Sequence, residues 1–419
     1  MSLRSTATAR STMHIVVIGS GIAGLSAAAI LRKYPQFSIT VYERRDADFK
    51  ESSAALGIRA NGISVLKEIG ICREEIRAVV GAGYRTYNLK EEEMSKSLVG
   101  DGPDGDGALW FVFRQDLKDA LLHRVTREDG EGSPVKVLYG THVVSVEPRT
   151  GVVEFADRMS VQAYLIIGAD GIHSRVRSSV IPASHPAPTP CGLSVYRFIL
   201  PMDDIRDAIG ADHGMPAMYN YDEGTFVAII AAGDVENRNV VMYPCREHQQ
   251  MNLACAIADS SLKNPAQLEY SWNARGSVKE MVESIEGFPQ WLQRVFSRTP
   301  QAQLFQVRDQ EPLPTYALGR TVLIGDAAHA MVPYQGQGAN QALEDVEGLD
   351  VLLAEVADAD VIPGLLQVWD SIRRPRASEI QRGSRASQAN IASKTASASI
   401  LSVRPHVGMK EALAQLQTR

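Results

Sequence analysis

Short, uninterrupted apolar runs recur along the chain, and runs of this kind predict strands buried on both faces of a parallel sheet. Residues 14–19 form the first run and residues 38–43 the second. Between them, residues 22–34 have a helical pattern that Pro35 ends. A strand, a helix and a second strand in this order predict a βαβ unit at the start of the fold.

Two later apolar runs are of the same buried type, residues 164–168 and residues 321–325. Most of the chain between them has a different pattern. From residue 192 to about residue 307, apolar and polar positions alternate, which predicts a mostly antiparallel sheet. The other predicted elements are helices at 61–69, 114–125, 251–258, 289–296 and 337–353, a strand at 84–88, period-two strand patterns at 219–221 and 225–230, a hairpin from 143–147 and 152–155, and a helical C-terminal region.

Composition narrows the class of protein. With 419 residues the chain is too long for one simple core, so two joined lobes are expected. The net charge of -6 gives no basic excess for a nucleic-acid partner, and no apolar run is long enough for a membrane-spanning helix. Residues 1–12 lack the apolar segment of a secretory signal. Four cysteines without a C-x-x-C pair favour reduced thiols, no metal site and a cytoplasmic protein.

Gly19, Gly21 and Gly24 follow the first strand with the spacing G-x-G-x-x-G. In this motif the first glycine makes the tight turn, the second lets a pyrophosphate approach the backbone, and the third lets the helix pack on the strand. Glu43 ends the second strand, where a carboxylate can bind ribose hydroxyls and disfavours a 2′-phosphate. The arrangement predicts a bound dinucleotide, FAD or NAD rather than NADP, and Arg44 joins the cofactor-binding candidates.

Further segments are similar to the motifs of one enzyme family. Residues 167–177 (IGADGIHSRVR) resemble the Asp-Gly motif of flavoprotein aromatic hydroxylases, and residues 323–329 (LIGDAAH) resemble their Gly-Asp motif. The other similar segments are Gly57-Ile58 with Asn61-Gly62, Arg114-Gln115-Asp116-Leu117, Pro333, and Gly336-Gln337-Gly338-Ala339-Asn340-Gln341. The chain therefore resembles the class A FAD-dependent monooxygenases of the para-hydroxybenzoate-hydroxylase fold family. Within them it is most similar to the salicylate-hydroxylase-like branch, which contains many fungal biosynthetic enzymes.

The resemblance implies an α/β fold with three parts. These are a Rossmann-like, glutathione-reductase-type FAD-binding domain, an inserted mixed and largely antiparallel substrate domain, and a helical C-terminus. The implied bounds are 13–80, 105–180 and 310–350 for the FAD-binding domain, 81–104 and 181–309 for the substrate-binding domain, and 351–419 for the C-terminal helical region.

The resemblance also implies which residues hold FAD. In the family, the carboxylate at the position of Asp326 contacts the ribityl chain, and small residues let backbone approach the isoalloxazine. Arg175 and Arg177, next to the Asp-Gly motif, fit either phosphate contacts or ion pairs within the fold. The complete cofactor-binding set is Gly19, Gly21, Gly24, Glu43, Arg44, Gly57, Arg114, Asp170, Asp326, Gly336, Gly338 and Ala339.

The family's chemistry implies that NADPH or NADH reduces FAD, that O2 adds as a flavin C4a-hydroperoxide, and that one oxygen atom passes to an electron-rich aromatic or heteroaromatic small molecule. Pro333 belongs to the loop that faces the flavin. Arg197 stands where related phenol hydroxylases hold a substrate phenolate, and a fixed cation lowers the pKa of a phenol. An ion pair within the fold explains Arg197 equally well. Further pocket candidates, each also explained as a core or surface residue, are Tyr196, His213, Tyr219, Tyr221 and Tyr243.

Alternative functions stay open. A related oxidase, a Baeyer-Villiger enzyme or an epoxidising enzyme could use the same scaffold, and a flavin-binding sensor without turnover is a more remote alternative. No second G-x-G-x-x-G follows another strand, so the nicotinamide is expected to bind transiently across the cleft. We expect a monomer or a homodimer.

Overall fold

The computed structural model describes residues 12–49, 54–100, 102, 104–210, 215–263, 274–389, 400, 403 and 405–418. The strands are β1 (Met13–Ile18), β2 (Phe37–Tyr42), β3 (Ala55–Arg59), β4 (Val79–Tyr87), β5 (Glu93–Leu98), β6 (Leu109–Phe113), β7 (Lys136–Leu138), β8 (Val143–Glu147), β9 (Val152–Phe155), β10 (Ser160–Gln162), β11 (Leu165–Gly168), β12 (Thr189–Pro201), β13 (Thr225–Ala231), β14 (Asn239–Cys245), β15 (Gln250–Ala258), β16 (Ala274–Gly276), β17 (Ala302–Asp309), β18 (Ala317–Leu318) and β19 (Thr321–Leu323). The helices are α1 (Ile22–Leu31), α2 (Ala60–Glu68), α3 (Arg114–Thr126), α4 (Arg177–Val180), α5 (Met202–Ile209), α6 (Val278–Ser284), α7 (Gln290–Ser297), α8 (Asp326–His329), α9 (Gly338–Leu353), α10 (Ile362–Ala389) and α11 (Met409–Gln417). Short 3-10 turns occupy Ala217–Tyr219, Asp259–Ser261, Pro333–Gln335 and Ala359–Val361.

The buried apolar runs come together in a six-stranded sheet of order β18-β19-β11-β1-β2-β7. Strand β1 pairs in parallel with both β11 and β2, and β11 pairs in parallel with β19. Helix α1 packs against α3 and α9, so apolar side chains on this sheet lie in one large core. The predicted parallel α/β unit is therefore confirmed, although its strands come from three distant parts of the sequence.

The alternating segment forms most of a second, ten-stranded sheet of order β16-β17-β12-β15-β14-β13-β4-β6-β3, with β5 paired to β4. The pairs from β17 to β13 are antiparallel, as predicted, whereas β13 and β4 are parallel. One face of this sheet packs on α5, α6 and α7. The opposite face carries a separate apolar cluster that includes Phe111 and Ile229.

Two predicted elements in this region are wrong. Residues 251–258 were expected to be helical, but they form the central strand β15, which pairs along its length with β12 and β14. The alanines of this run suit a helix, yet pairing on both sides favours the strand, and alternate side chains from Met251 to Ile257 pack into one core. Residues 219–221 were expected in a strand, but Ala217–Tyr219 is a 3-10 turn.

The ten-stranded sheet draws strands from both predicted domain ranges. Strands β3 and β6 come from ranges assigned to the FAD-binding domain, and β12–β17 come from the range assigned to the substrate-binding domain. The three-part domain division stays a prediction. The predicted hairpin of β8 and β9 is confirmed, with β10 added beside it. No helix in the described part of the chain is long and apolar enough to cross a membrane.

Candidate active site

Three predicted motifs meet at one edge of the six-stranded sheet. Strands β1, β11 and β19 are neighbours and parallel, and Ile18, Gly168 and Leu323 lie side by side at their carboxyl ends. The glycine loop, the Asp-Gly segment and the Gly-Asp segment follow these three residues directly. This edge is where open α/β sheets bind their ligands.

The glycine loop has two tight positions and one open position. Gly19 has φ 106°, and a Cβ placed there would lie 2.4 Å from the Ala169 carbonyl oxygen. A Cβ at Gly24 would lie 2.0 Å from the Gly19 carbonyl oxygen. At Gly21 nothing in the described part of the chain lies within 4 Å of a Cβ, so the backbone before α1 is open to a phosphate.

Glu43 holds the glycine loop from the end of β2. Its Oε2 accepts hydrogen bonds from the Ser20 N–H at 2.9 Å and the Ser20 hydroxyl at 2.8 Å, and its Oε1 accepts one from the Arg45 N–H at 2.9 Å. Burial alone raises the pKa of Glu43, but these hydrogen bonds outweigh it and hold the pKa below its usual value. The carboxylate is ionised at neutral pH, as a ribose acceptor requires. The neighbouring Arg44 is exposed.

Asp170 shapes the Asp-Gly segment. Its carboxylate accepts hydrogen bonds from the Ser174 hydroxyl and from the N–H groups of Arg175 at 2.6 Å and Val176 at 3.2 Å. The side chain therefore closes its own turn. Any contact that Asp170 makes with a cofactor is additional to this role.

Arg177 lies inside the fold and connects two motifs. The side chain is 7% exposed, and its Nη1 donates to the carbonyl oxygen of Ala327 at 3.1 Å and, at 3.4 Å, to that of Asp326. Its Nη2 donates to the Ile172 carbonyl oxygen. The guanidinium is thus used in linking the Asp-Gly and Gly-Asp segments, while Arg175 is exposed.

Asp326 differs from its neighbours in exposure. Ala327, Ala328 and His329 are fully buried, whereas the Asp326 side chain is exposed at the start of α8. It does not cap that helix, and its charge acts on the buried guanidinium of Arg177. An exposed carboxylate at the ligand-binding edge of a sheet suits a hydroxyl-rich ligand such as a ribityl chain.

The loop before α9 is also open. Pro333–Gln335 forms a 3-10 turn, Gly336 follows in the left-handed region at φ 60°, and α9 begins at Gly338. No described atom lies within 4 Å of a Cβ placed on either glycine. Pro333 is exposed on this loop, and Ala339 packs partly against the main core. Open backbone at a helix N-terminus fits the approach of a flat, electron-accepting ring.

Asn340 joins this loop to the segment around Gly57. Its Nδ2 donates to the carbonyl oxygens of Gly57 at 3.0 Å and Gly336 at 2.9 Å, and its Oδ1 accepts from the Arg59 N–H at 2.8 Å. Arg114 begins α3 nearby in the fold, and its N–H donates to the Ala54 carbonyl oxygen at 2.8 Å. These bonds connect the loop before α9 and the start of α3 to the segment of β3.

Arg197 lies on the face of the ten-stranded sheet opposite to α5, α6 and α7. Its guanidinium carbon is 4.2 Å from the centroid of the Phe305 ring. Burial raises the pKa of the Tyr243 phenol, and the nearby charge of Arg197 opposes that shift. Tyr243 and Tyr334, the residue after Pro333, both pack against the apolar cluster on this face, to which Ile400 also belongs. The structure therefore brings Arg197, Tyr243 and the Pro333 loop to the same side of the sheet.

Other pocket candidates lie elsewhere. Tyr196 and Tyr219 belong to the core on the opposite face, where Tyr219 packs edge-on against Trp291. Tyr221 lies beside His248, with ring centroids 4.9 Å apart. His213 is outside the described residues. Tyr243, by contrast, lies near Arg197 on the same face of the sheet.

Comparison with known proteins adds the family. Residues 12–384 match the family model described as "FAD binding domain". The chain belongs to this FAD-binding family.

Relatives of this FAD-binding family match most of the chain. A salicylate hydroxylase from Pseudomonas putida is 29% identical over 393 residues, which cover 89% of this chain and 84% of that protein. The FAD-dependent monooxygenase cfoG from Aspergillus candidus is 28% identical over 375 residues, covering 88% and 84%. The protein is therefore an FAD-dependent oxidoreductase of the monooxygenase type.

Solved structures show that the fold is shared. The structure described as a salicylate hydroxylase substrate complex has a TM-score of 0.74 and 24% identity, covering 98% of this chain and 96% of the other. CtdE in complex with FAD and a substrate has a TM-score of 0.80 and 21% identity, covering 97% and 98%. These similarities confirm the α/β fold with a Rossmann-like FAD domain.

Proposed function

We propose that this monooxygenase uses NADH or NADPH and O2 to insert one oxygen atom into an electron-rich aromatic or heteroaromatic small molecule. The observation that carries the proposal is the position of Arg197, on an apolar sheet face that also contacts the loop of Pro333. The salicylate hydroxylases among the relatives support an aromatic substrate. The alternatives that the same scaffold could give are oxidase activity, insertion of the oxygen atom into a carbon–carbon bond next to a carbonyl group, and addition of the oxygen atom across a double bond.

The predicted cofactor-binding residues fit FAD. In this proposal the pyrophosphate lies at Gly21, a ribose at Glu43, the ribityl chain at Asp326 and the ring system at Gly336 and Gly338. The chemistry that bound FAD supplies is acceptance of a hydride from the nicotinamide and activation of O2 as the C4a-hydroperoxide. The predicted division into FAD-binding, substrate-binding and C-terminal regions belongs to the same proposal, as do the monomeric or homodimeric state and the cytoplasmic location.

The protein's own contribution is orientation, charge and the exclusion of water. A phenol near Arg197 ionises more readily because a fixed cation stabilises the phenolate, which is the more nucleophilic form. The apolar side chains of Phe111, Ile229 and Phe305 keep bulk water from the reacting groups. Pro333 restricts the backbone of the loop that faces the ring system.

The first test is a screen of small phenols, indoles and aromatic acids for faster anaerobic reduction of bound FAD by NADH and NADPH. Active compounds are then turned over in air, with nicotinamide consumption, hydrogen peroxide and products one oxygen atom heavier all measured. Hydrogen peroxide in stoichiometric amounts without an oxygenated product would identify an oxidase. A flavin that no nicotinamide reduces would identify a sensor.

Arg197→Met tests the phenolate role. We expect kcat/KM for a phenolic substrate to fall about tenfold or more, since a hydrogen bond to a charged group contributes about 1.5–3 kcal/mol. The acidic limb of the pH profile should move to higher pH, because the phenol loses a stabilising cation. Arg206→Met, an exposed arginine that is paired with Asp203 on α5, is the matched control. An unchanged pH profile would exclude Arg197 from the pocket.

A further inference from the structure

A cluster of buried charged side chains lies where α9 crosses α10. Glu344 and Asp345 are both 0% exposed and adjacent on α9, and Arg373 on α10 is 1% exposed. Two neighbouring carboxylates are costly to bury unless cations and hydrogen bonds satisfy them. We call Glu344, Asp345 and Arg373, with His329 and Asn61 at its edges, the Arg373 cluster.

Arg373 satisfies both carboxylates with one guanidinium. Its Nε donates to Asp345 Oδ1 at 3.0 Å, its Nη1 donates to Glu344 Oε2, and its Nη2 donates to Gln341 Oε1 at 2.9 Å. Arg376 adds a second cation, with Nη2 3.0 Å from Glu344 Oε1. Burial acts to raise the pKa of Glu344, but the charge of Arg373 and its other partners hold it far below its usual range. Glu344 is therefore ionised and is paired with the two cations Arg373 and Arg376.

Two carboxylate oxygens of this cluster accept hydrogen bonds from two predicted cofactor-binding segments. Asp345 Oδ2 accepts from the Gly325 N–H at 2.9 Å and lies 2.7 Å from His329 Nε2. Gly325 and His329 stand at the two ends of α8, the short helix that begins with Asp326. Glu344 Oε1 accepts from Asn61 Nδ2 at 2.6 Å, at the start of α2 after β3. The guanidinium of Arg373 is thus connected to both segments indirectly, through Asp345 to the Gly325 turn and through Glu344 to Asn61.

We propose that Arg373 is a positioning residue for FAD. Through Asp345 it fixes the Gly325 turn, and so the direction in which the exposed Asp326 carboxylate presents itself to the ribityl chain. This rests on the proposed role of Asp326. Well-packed apolar residues could stabilise two crossing helices equally well, so stability alone does not account for a buried ionic cluster at this position. The bond of the cluster to the backbone of the Gly325 turn does account for it, because a buried charge network specifies one geometry.

The test compares Asp345→Asn, Arg373→Lys and Arg373→Met with the wild-type protein. Asparagine keeps the shape of the side chain but places neutral atoms against Arg373, and lysine keeps the charge but not the three-way fork. FAD is titrated into each apoprotein well below its unfolding temperature. We expect the Kd for FAD to rise about tenfold or more, with shifted visible absorption bands of the bound flavin, and Arg373→Lys to be affected less than Arg373→Met.

Arg374→Met is the matched control, because Arg374 is the next residue on α10, is partly exposed and pairs with Asp370 rather than with Glu344 or Asp345. Its Kd and flavin spectrum should equal those of the wild-type protein. If the cluster variants unfold at lower temperature but bind FAD within twofold of wild type and with an unchanged spectrum, the positioning role is wrong and the cluster is only structural. These measurements need neither an aromatic substrate nor a nicotinamide. A failure of the proposed hydroxylation would therefore leave their outcome unaffected.

Discussion

At the scale of single residues, the glycine loop contains two different requirements for glycine. Gly24 is needed because a Cβ would lie 2.0 Å from a carbonyl oxygen, whereas Gly21 leaves space that the protein does not fill. We predict that Gly24→Ala lowers the unfolding free energy of the apoprotein by about 1–3 kcal/mol, as overpacking does. Gly21→Ala, at φ -74°, should leave that free energy nearly unchanged but weaken FAD binding, because the methyl group enters the phosphate space.

Thermal unfolding of the two apoproteins and titration with FAD separate these effects, and each variant is the control for the other. Tight FAD binding by Gly21→Ala would contradict the phosphate position. Residues of this kind can be predicted from sequence because the requirement lies in local backbone geometry. Asp345 and Arg373 could not be, since their roles depend on partners 16–28 residues away that only helix crossing brings together.

At the scale of elements, α9 connects several predicted cofactor-binding segments, because the side chain of Asn340 on its first turn bonds to three backbone groups outside the helix. Those groups belong to β3, to the start of α2 and to the Gly336 turn. We predict that Asn340→Ala lowers the unfolding free energy by about 2–4 kcal/mol, since buried backbone groups lose their partners, and weakens FAD binding as well. Denaturant unfolding and FAD titration measure the two effects.

Ser64→Ala is the control for this element, because Ser64 is exposed on α2 and its hydroxyl only bonds to the Asn61 carbonyl oxygen. Equal losses of unfolding free energy and of FAD affinity in both variants would show that the bonds of Asn340 contribute no more than the surface bond of Ser64. Helix α9 itself was predictable from its pattern, and so were the parallel strands. Strand β15 was not, because the pairing partners on its two sides outweigh the helical preference of its alanines.

At the scale of the whole molecule, the site is built from parts of the chain that no single segment contains. The proposed cofactor edge joins residues near 20, 170 and 325, and the proposed substrate face joins β6, β12, β13 and β14. Family motifs predicted the first set because backbone approach to FAD restricts the residues there. The sheet face that carries Arg197 has no such motif, since apolar side chains of many kinds can exclude water. Of the six pocket residues predicted from the sequence, Arg197 and Tyr243 lie on this face, whereas Tyr196 and Tyr219 lie in the core on the other face.

Ile400 shows this long-range assembly most directly, because a residue near the C-terminus is 4% exposed in the same apolar cluster as Phe111 and Ile229, beside Tyr334. Removing its side chain leaves a cavity next to the loop of Pro333 and admits water to the substrate face. We predict that Ile400→Ala raises the share of reducing equivalents lost as hydrogen peroxide and raises KM for the aromatic substrate, while the Kd for FAD stays within twofold. Val407→Ala, at a position 51% exposed, should change none of these. Because cofactor affinity and coupling are measured separately, an Ile400→Ala protein that loses FAD affinity but keeps full coupling would assign the Ile400 side chain to the cofactor site instead.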